Sequence, residues 1–213
     1  WPIQKAGVIG LPIPGTELKL VPNEEKLEIR VRGPNVTPGY WKRDDLTEAA
    51  FDEDGFYCIG DAARFEDQNN PKRGIIFDGR VSENFKLSSG TWVFVGGLRT
   101  EVVSASPNII QDAVITGHDR EALGLLIFPN VVGCRMLCRN LKEEVPLAEL
   151  IQMGNVQDPL KAAIKNYNMD NPASSTRISR ALMMEEPPSI DAGEITDKGY
   201  LNQRAVLARR ADL

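Results

Sequence analysis

The segment F-D-G-R-V-S-E-N-F-K-L-S-S-G-T-W, from Phe77 to Trp92, separates two regions of different pattern. A short apolar run, Ile75 to Phe77, leads into it and predicts a strand, and Gly79-Arg80 is expected to break that run. Short alternating runs come before the segment, whereas strands and helices alternate after it. The segment is therefore predicted to be the joint between two domains, residues 1–80 and residues 81–213.

The first region is rich in strand signals. Residues 16–21 and 27–32 alternate between apolar and polar side chains, which predicts two half-buried strands in a hairpin or side by side. A helix is expected at 44–51, where acidic residues occupy the first turn, and a strand at 56–59 that ends at Gly60-Asp61. A small, distorted barrel or a sheet layer would accommodate these elements.

The second region predicts a small α+β domain, so the fold class of the whole chain is α+β. Its expected strands are 92–95, 112–117, 123–128 and 177–184, and its expected helices are 98–105, 147–153, 158–167 and a last one capped by Thr196.

Composition narrows the classes of function. The chain has 213 residues and a net charge of −5, which argues against a nucleic-acid-binding surface. Its apolar runs are far shorter than the roughly 18 residues of a membrane helix, so no membrane span is expected. Three cysteines fit a reducing cytoplasm. Cys134 and Cys138 could share a helix face, but a single histidine leaves a zinc site short of ligands, so no metal site is expected.

Five short motifs are weak alone but informative in their order. They are L-E-I-R-V-R-G-P at 27–34, G-Y-W at 39–41, D-G-F-Y-C-I-G-D at 54–61, G-R at 79–80 and D-A-V-I-T-G-H-D at 112–119. This series resembles the adenylate-forming superfamily, which includes acyl-CoA synthetases, peptide-synthetase adenylation domains and luciferases. Within it, residues 83–93 and 187–204 are similar to feruloyl-CoA synthetases, which activate hydroxycinnamic acids.

The resemblance implies a two-step reaction. A carboxylic acid such as ferulate and ATP would give an acyl-adenylate and pyrophosphate, with Mg²⁺ screening the phosphates. The thiol of CoA would then attack the adenylate and release AMP. Two alternatives remain open: another acyl-CoA synthetase or an adenylation module feeding a carrier protein, and a fragment that is inactive alone or only binds a partner.

The resemblance also indicates what this chain would lack. It opens on W-P-I-Q-K at Trp1 without an initiator methionine, and the phosphate-binding loop of the superfamily would lie before that residue. The chain is therefore interpreted as the C-terminal part of the enzyme. Residues 1–80 would be the last β-rich subdomain of the large AMP-binding domain, and residues 81–213 the mobile small domain.

Residues at matching positions receive expected roles. Asp61 would accept hydrogen bonds from the ribose hydroxyls of ATP, because a carboxylate can accept from two donors. Arg80 would reach the ribose and phosphate region. The alternatives are a turn cap for Asp61 and a surface ion pair for Arg80. The hinge between domain orientations would be Ser82 or Glu83, where the superfamily usually has aspartate or lysine.

The CoA side and the catalytic lysine are harder to assign. Lys86 and Gly90 would face CoA, and the glycine would allow close backbone approach. The chain has one more residue between Lys86 and Gly90 than the superfamily usually has. The alternative for Lys86 is a solvated side chain. The superfamily usually carries its lysine in a late Gly-Lys-Ile, which reads G-E-I at 193–195 here. Lys198 is the nearest substitute for neutralising charge as the adenylate forms. The alternative is an exposed helix lysine, with charge supplied by Arg177 or Arg180.

Overall fold

The computed structural model describes residues 8–23, 26–138 and 145–213, so Trp1 lies outside the described residues. The chain divides into two compact units, Trp1–Ser82 and Glu83–Leu213. The mixed α+β class expected from the sequence is confirmed.

The first unit is a five-stranded antiparallel sheet in the order β1-β5-β4-β3-β2. It is an open sheet, so the sheet layer rather than the barrel is observed. Its elements are β1 Val8–Gly10, β2 Glu17–Asn23, β3 Lys26–Arg32, α1 Asp44–Ala50, β4 Tyr57–Phe65, a 3-10 turn Pro71–Arg73 and β5 Ile75–Arg80. Ile29, Ala63 and Ile75 form its core. The expected pairing of the first two alternating runs is confirmed, since β2 and β3 form an antiparallel hairpin.

Two glycines that were expected to end strands instead mark bulges within them. Strand β4 continues through Gly60, whose φ is +78°, and the register against β3 shifts at this point. Strand β5 likewise continues through Gly79, with φ +83°, to Arg80. Glycine adopts this left-handed backbone readily, and one common type of bulge places a glycine in it. The strand ends predicted at 60–61 and 79–80 are therefore wrong.

The second unit is a three-stranded sheet, β10-β9-β8, with helices on both faces and a two-stranded hairpin, β6-β7. Its elements are β6 Phe85–Lys86, β7 Trp92–Val93, α2 Val95–Ala105, β8 Ile110–Thr116, β9 Leu123–Pro129, α3 Val131–Leu137, α4 Leu147–Leu150, α5 Gly154–Asp170, β10 Ile178–Met183 and α6 Gln203–Arg209. Strands β8 and β9 are antiparallel, and β9 and β10 are parallel.

Both faces of the sheet are covered at β8 and β9, which carry apolar side chains on either side, whereas the four middle residues of β10 are exposed. Ile115 and Ile127 belong to the larger core, which also contains residues of α2 and α5. Their neighbours Val114 and Leu126 belong to a second core that includes Val206 of α6. The sheet is thus the rigid centre of the unit, and α6 is fixed to one of its faces.

The last helix begins later than expected. Thr196 does not cap it, because its hydroxyl accepts a hydrogen bond from the backbone N–H of Tyr200, 3.1 Å away, inside a turn. The N-cap is Asn202, whose Oδ1 accepts from the N–H of Ala205 at 3.3 Å. Two other expected elements are shorter than predicted: the strand at 92–95 stops at Val93, and the helix at 147–153 stops at Leu150.

Among the residues that the structure describes, no helix is long and apolar enough to cross a membrane. The two cysteines that could share a helix face, Cys134 and Cys138, are both buried in the larger core. Burial raises the pKa of the Cys134 thiol. Both cysteines therefore act as small apolar core residues here.

Candidate functional site

Asp61 and Arg80 are register partners on β4 and β5. The guanidinium Nε of Arg80 lies 3.4 Å from Oδ1 of Asp61, and the side chains are 57% and 27% exposed, respectively. An ion pair this exposed contributes little to stability. The pair places a carboxylate acceptor beside a guanidinium donor, and both side chains are partly exposed.

The expected hinge residues lie in a 3-10 turn, Val81–Glu83, that follows β5. Glu83 is half-buried, and the side chain of Ser82 lies outside the described part of the chain. Asn84 comes next, and its Oδ1 accepts a hydrogen bond from the N–H of Val95 at 3.2 Å. The assignment of the hinge to Ser82 or Glu83 stays a prediction.

Lys86 and Gly90 lie in one hairpin. The N–H of Gly90 donates to the carbonyl of Leu87 at 2.8 Å, and Gly90 has a φ of +81°. A Cβ built at Gly90 would meet no atom within 4 Å, so its backbone faces open space. The Lys86 ammonium lies 4.6 Å from the centroid of the Trp92 ring, which orients it by a cation–π contact. Lys86 is nevertheless exposed, so its assignment to the CoA side stays a prediction.

The hairpin is attached to the loop between β8 and β9. The N–H of Asp119 donates to the carbonyl of Lys86, and the N–H of Ser88 donates to the carbonyl of Arg120, both at 2.9 Å. These two backbone bonds hold Lys86 to the sheet of the second unit.

Lys198 occupies the tip of a turn and not the start of a helix as expected. The N–H of Gly199 donates to the carbonyl of Thr196 at 2.9 Å, which closes a four-residue turn with Lys198 at its third position. Lys198 is exposed, as are the two alternative cations, Arg177 and Arg180. No backbone–backbone hydrogen bond between described residues joins this turn to the Lys86 hairpin.

The sequence interpretation missed the role of Glu194. It was noted only as a departure from the usual lysine, whereas its side chain is fully buried and bound by two arginines, Arg209 and Arg210. The hydrogen bonds of Arg210 outweigh burial and lower the pKa of this carboxyl from 4.5 to about 2. The sequence feature that could have indicated partners for Glu194 is the pair of adjacent arginines, Arg209 and Arg210, at the end of the last helix.

The described residues contain no group of three or more His, Cys, Asp or Glu side chains that could hold a metal ion. The described residues therefore include no cluster that fits the Mg²⁺ that the resemblance implies.

Residues 94–213 match the family model described as AMP-binding enzyme C-terminal domain. The chain belongs to this family. The resemblance to the adenylate-forming superfamily is confirmed at this level, whereas the finer resemblance to feruloyl-CoA synthetases stays a prediction.

Two curated relatives are similar to parts of this chain. A long-chain-fatty-acid–[acyl-carrier-protein] ligase of Arabidopsis thaliana, described as chloroplastic, is 27% identical over 95% of this chain and 28% of its own length. A long-chain-fatty-acid–CoA ligase of Rattus norvegicus is 38% identical over 61% of this chain and 19% of its own length. The chain therefore spans less than a third of these relatives, and the expected cytoplasmic location stays a prediction.

Among solved structures, the fold is similar to the A domain of carboxylic acid reductase from Segniliparus rugosus, in complex with AMP and a co-purified carboxylic acid. The TM-score is 0.72 at 21% identity, over 95% of this chain and 31% of that chain. At this identity the likeness concerns the fold alone.

Proposed function

We propose that this chain is the C-terminal part of an ATP-dependent, AMP-forming acid–thiol ligase. The observation that carries the proposal is the match of residues 94–213 to the AMP-binding enzyme C-terminal domain. Residues 81–213 would be the small domain of that enzyme, and residues 1–80 the last β-rich subdomain of its large AMP-binding domain.

In this proposal Asp61 and Arg80 bind the nucleotide. The carboxylate of Asp61 accepts hydrogen bonds from ribose hydroxyls, and the guanidinium of Arg80 donates to the ribose and phosphate oxygens. The support is their pairing across β4 and β5 and the partial exposure of the two side chains.

The second unit would supply the groups that act on the acyl and thiol parts. Lys198 neutralises the charge that develops between the substrate carboxylate and the α-phosphate during adenylation. Lys86 and the open backbone at Gly90 lie on the CoA side, and Ser82 or Glu83 absorbs the change between the two domain orientations. The support is that Lys198 is exposed at a turn tip, and Lys86 is oriented by Trp92.

For the acyl substrate we propose ferulate or a related hydroxycinnamic acid, with CoA as acceptor. The support is the similarity of residues 83–93 and 187–204 to feruloyl-CoA synthetases. A second candidate is a long-chain fatty acid, with CoA or an acyl-carrier protein as acceptor. The similarity to a long-chain-fatty-acid–[acyl-carrier-protein] ligase and a long-chain-fatty-acid–CoA ligase favours it.

The test is made on the full-length protein that contains this chain, with ATP and Mg²⁺. Pyrophosphate and AMP release are measured with ferulate, coumarate and palmitate, each with CoA and with a phosphopantetheinylated carrier protein. Acid-dependent AMP formation supports the ligase, and the preferred pair identifies substrate and acceptor. Absence of acid-dependent pyrophosphate release with every acid would overturn the proposal.

The same assay on the 213-residue chain is the matched control. We expect no adenylation by this chain alone, because no phosphate-binding loop is present in its sequence. Full activity of the chain alone would show that the phosphate site has been assigned to the wrong part of the protein.

A further inference from the structure

Glu194 lies at the base of a closed loop that carries Lys198 at its tip. Ile195 and Leu201 form an antiparallel bridge, and the N–H of Thr196 donates to the carbonyl of Tyr200 at 2.8 Å. The N–H of Asn202 donates to the carbonyl of Glu194 at 2.8 Å and joins the two ends of the loop. The hydrogen bond between the backbone groups of Asn202 and Glu194 therefore closes the loop at its base.

The side chain of Glu194 is held by four donors. Its Oε1 accepts from Nε of Arg210 at 2.7 Å, and its Oε2 accepts from Nη2 of Arg210 at 3.0 Å, which makes a two-point contact with one guanidinium. Oε2 also accepts from Nη1 of Arg209 at 2.8 Å and from the N–H of Ser189 at 2.7 Å. The carboxylate is 0% exposed, so its negative charge depends on these donors.

Arg210 links this carboxylate to further backbone. Its Nη1 donates to the carbonyl of Glu186 at 3.3 Å and its Nη2 to that of Pro187 at 3.1 Å. Its side chain is only 8% exposed, and its guanidinium lies 5.2 Å from the centroid of the Phe128 ring on β9. Arg210 thereby connects the base of the loop to the sheet.

The other end of the loop is fixed by the start of α6. Asn202 caps this helix, and the buried side chain of Gln203 accepts a hydrogen bond through Oε1 from the N–H of Ile115 on β8, 3.1 Å away. Both ends of the loop are therefore attached to the central sheet, one through Arg210 and one through Gln203. Lys198 itself remains exposed at the tip.

We infer that the Glu194–Arg210 pair is a positioning element for Lys198 in adenylation, an inference that rests on the proposed function. A flexible lysine stabilises developing charge efficiently only if its backbone is held in place before the reaction. The pair touches no reacting atom in this account. The pair fixes the base of the loop from which Lys198 reaches the site. The negative charge of Glu194 therefore has a structural role and takes no part in the reaction.

The test is a double-mutant cycle on the full-length protein. Single-turnover pyrophosphate release is measured for the wild type, Glu194→Gln, Lys198→Ala and the double variant. We expect Glu194→Gln to slow adenylation by about 10-fold to 100-fold when Lys198 is present. In the Lys198→Ala background it should have no further effect, because the positioned group is gone. If the loss of adenylation rate in the double variant equals the product of the losses in the two single variants, the inference is overturned.

Two further variants separate positioning from folding. Arg210→Lys keeps the positive charge but loses the two-point contact, and it should slow adenylation in the same Lys198-dependent way. Arg209→Lys is the matched control, because Arg209 is 44% exposed and makes one bond to the carboxylate, so a smaller loss is expected. If neither Glu194→Gln nor Arg210→Lys folds, the pair is a determinant of the fold and the inference is overturned.

The outcomes also distinguish this inference from the proposed function. A wild-type protein that forms no adenylate with any acid contradicts the ligase itself. An active wild type in which Lys198→Ala slows adenylation but Glu194→Gln does not contradicts only the positioning role. Thioester formation from preformed adenylate is the second readout, and we expect Glu194→Gln to leave its rate unchanged.

Discussion

The Nε atom of Arg80 lies 3.4 Å from Oδ1 of Asp61, and the two residues are partners across β4 and β5. Between Asp61 and Ala63 on β4, the paired residues of β5 run from Arg80 to Phe77, so β5 has one extra residue there. Gly79 lies within that bulge. The bulge thus determines which β5 side chain stands opposite Asp61, and it explains why a glycine immediately precedes the arginine.

Removing either member of this pair should weaken nucleotide binding. For Asp61→Asn and Arg80→Ala in the full-length protein, we expect the Kd for ATP to rise by about 10-fold to 100-fold, since charge-assisted hydrogen bonds contribute roughly 1.5–3 kcal/mol. Calorimetric titration measures this directly. Arg64→Ala is the control, because Arg64 is an exposed arginine on β4, the strand that carries Asp61. Equal losses for Arg64 and Arg80 would show a general charge effect.

Lys198→Ala should slow acyl-adenylate formation by about 10²-fold to 10³-fold, the usual cost of losing one preorganised charge-stabilising group. Rapid-quench measurement of pyrophosphate gives this rate. Thioester formation from preformed adenylate should change much less. Lys165→Ala, an exposed lysine on α5, provides the comparison and should behave as the wild type. Adenylation at the wild-type rate in Lys198→Ala would contradict the assignment.

Lys86→Ala should raise the KM for CoA by about 5-fold to 10-fold through loss of an exposed cation near an anionic ligand, while adenylation keeps its rate. Steady-state kinetics with varied CoA separates the two steps. The physical basis is the position of the ammonium, 4.6 Å from the Trp92 ring centroid. Lys161→Ala is a suitable control. If Lys86→Ala lowers only the rate of adenylation, Lys86 acts on the nucleotide and not on CoA, and the assignment is wrong.

The Glu194 ion pair predicts a pH dependence of stability. Because the folded pKa of this carboxyl is lowered from 4.5 to about 2, its contribution is fully present above about 4.5 and is lost as pH falls toward 2. Urea unfolding of wild type and Glu194→Gln should differ by roughly 3 kcal/mol near neutral pH. The difference should shrink progressively below pH 4.5. A difference that does not depend on pH would rule out the charge as its cause.

Two glycine substitutions in the second unit should have opposite effects. A Cβ at Gly133 of α3 would lie 2.0 Å from the backbone oxygen of Asn108, so Gly133→Ala should destabilise the protein by about 2–3 kcal/mol. Gly97 of α2 has nothing within 4 Å of such a Cβ, and Gly97→Ala should stabilise it by about 0.5–1 kcal/mol. Thermal unfolding measures both. A neutral Gly133→Ala would indicate that α3 can move away from Asn108.

The alternation of apolar and polar residues in the sequence predicted those strands whose structure depends on residues close together in the chain. The alternation at 16–21 and 27–32 predicted β2 and β3 because one face of each strand meets the core. The bulges at Gly60 and Gly79 were mistaken for strand ends, because a glycine at positive φ gives the same local signal in both cases.

Features that depend on distant contacts could not be predicted in the same way. Thr196 is a good cap for a helix and for a turn. The tertiary contact of Gln203 with Ile115 places the N-cap six residues later, at Asn202. Glu194 has the sequence pattern of an exposed loop residue, and only folding brings Arg209 and Arg210 to it. The Asp61–Arg80 assignment came from resemblance, and its role stays a prediction.

The enclosure of Glu194 by two arginines limits how this sequence can evolve. A change of glutamate to lysine needs one nucleotide, yet here it would bury a third positive charge against Arg209 and Arg210 without a counter-ion. A lysine at position 194 is therefore tolerated only after the arginines have been replaced. Conversely, replacing the arginines first would leave a buried carboxylate unpaired. The three positions are epistatically linked and are expected to change together or not at all.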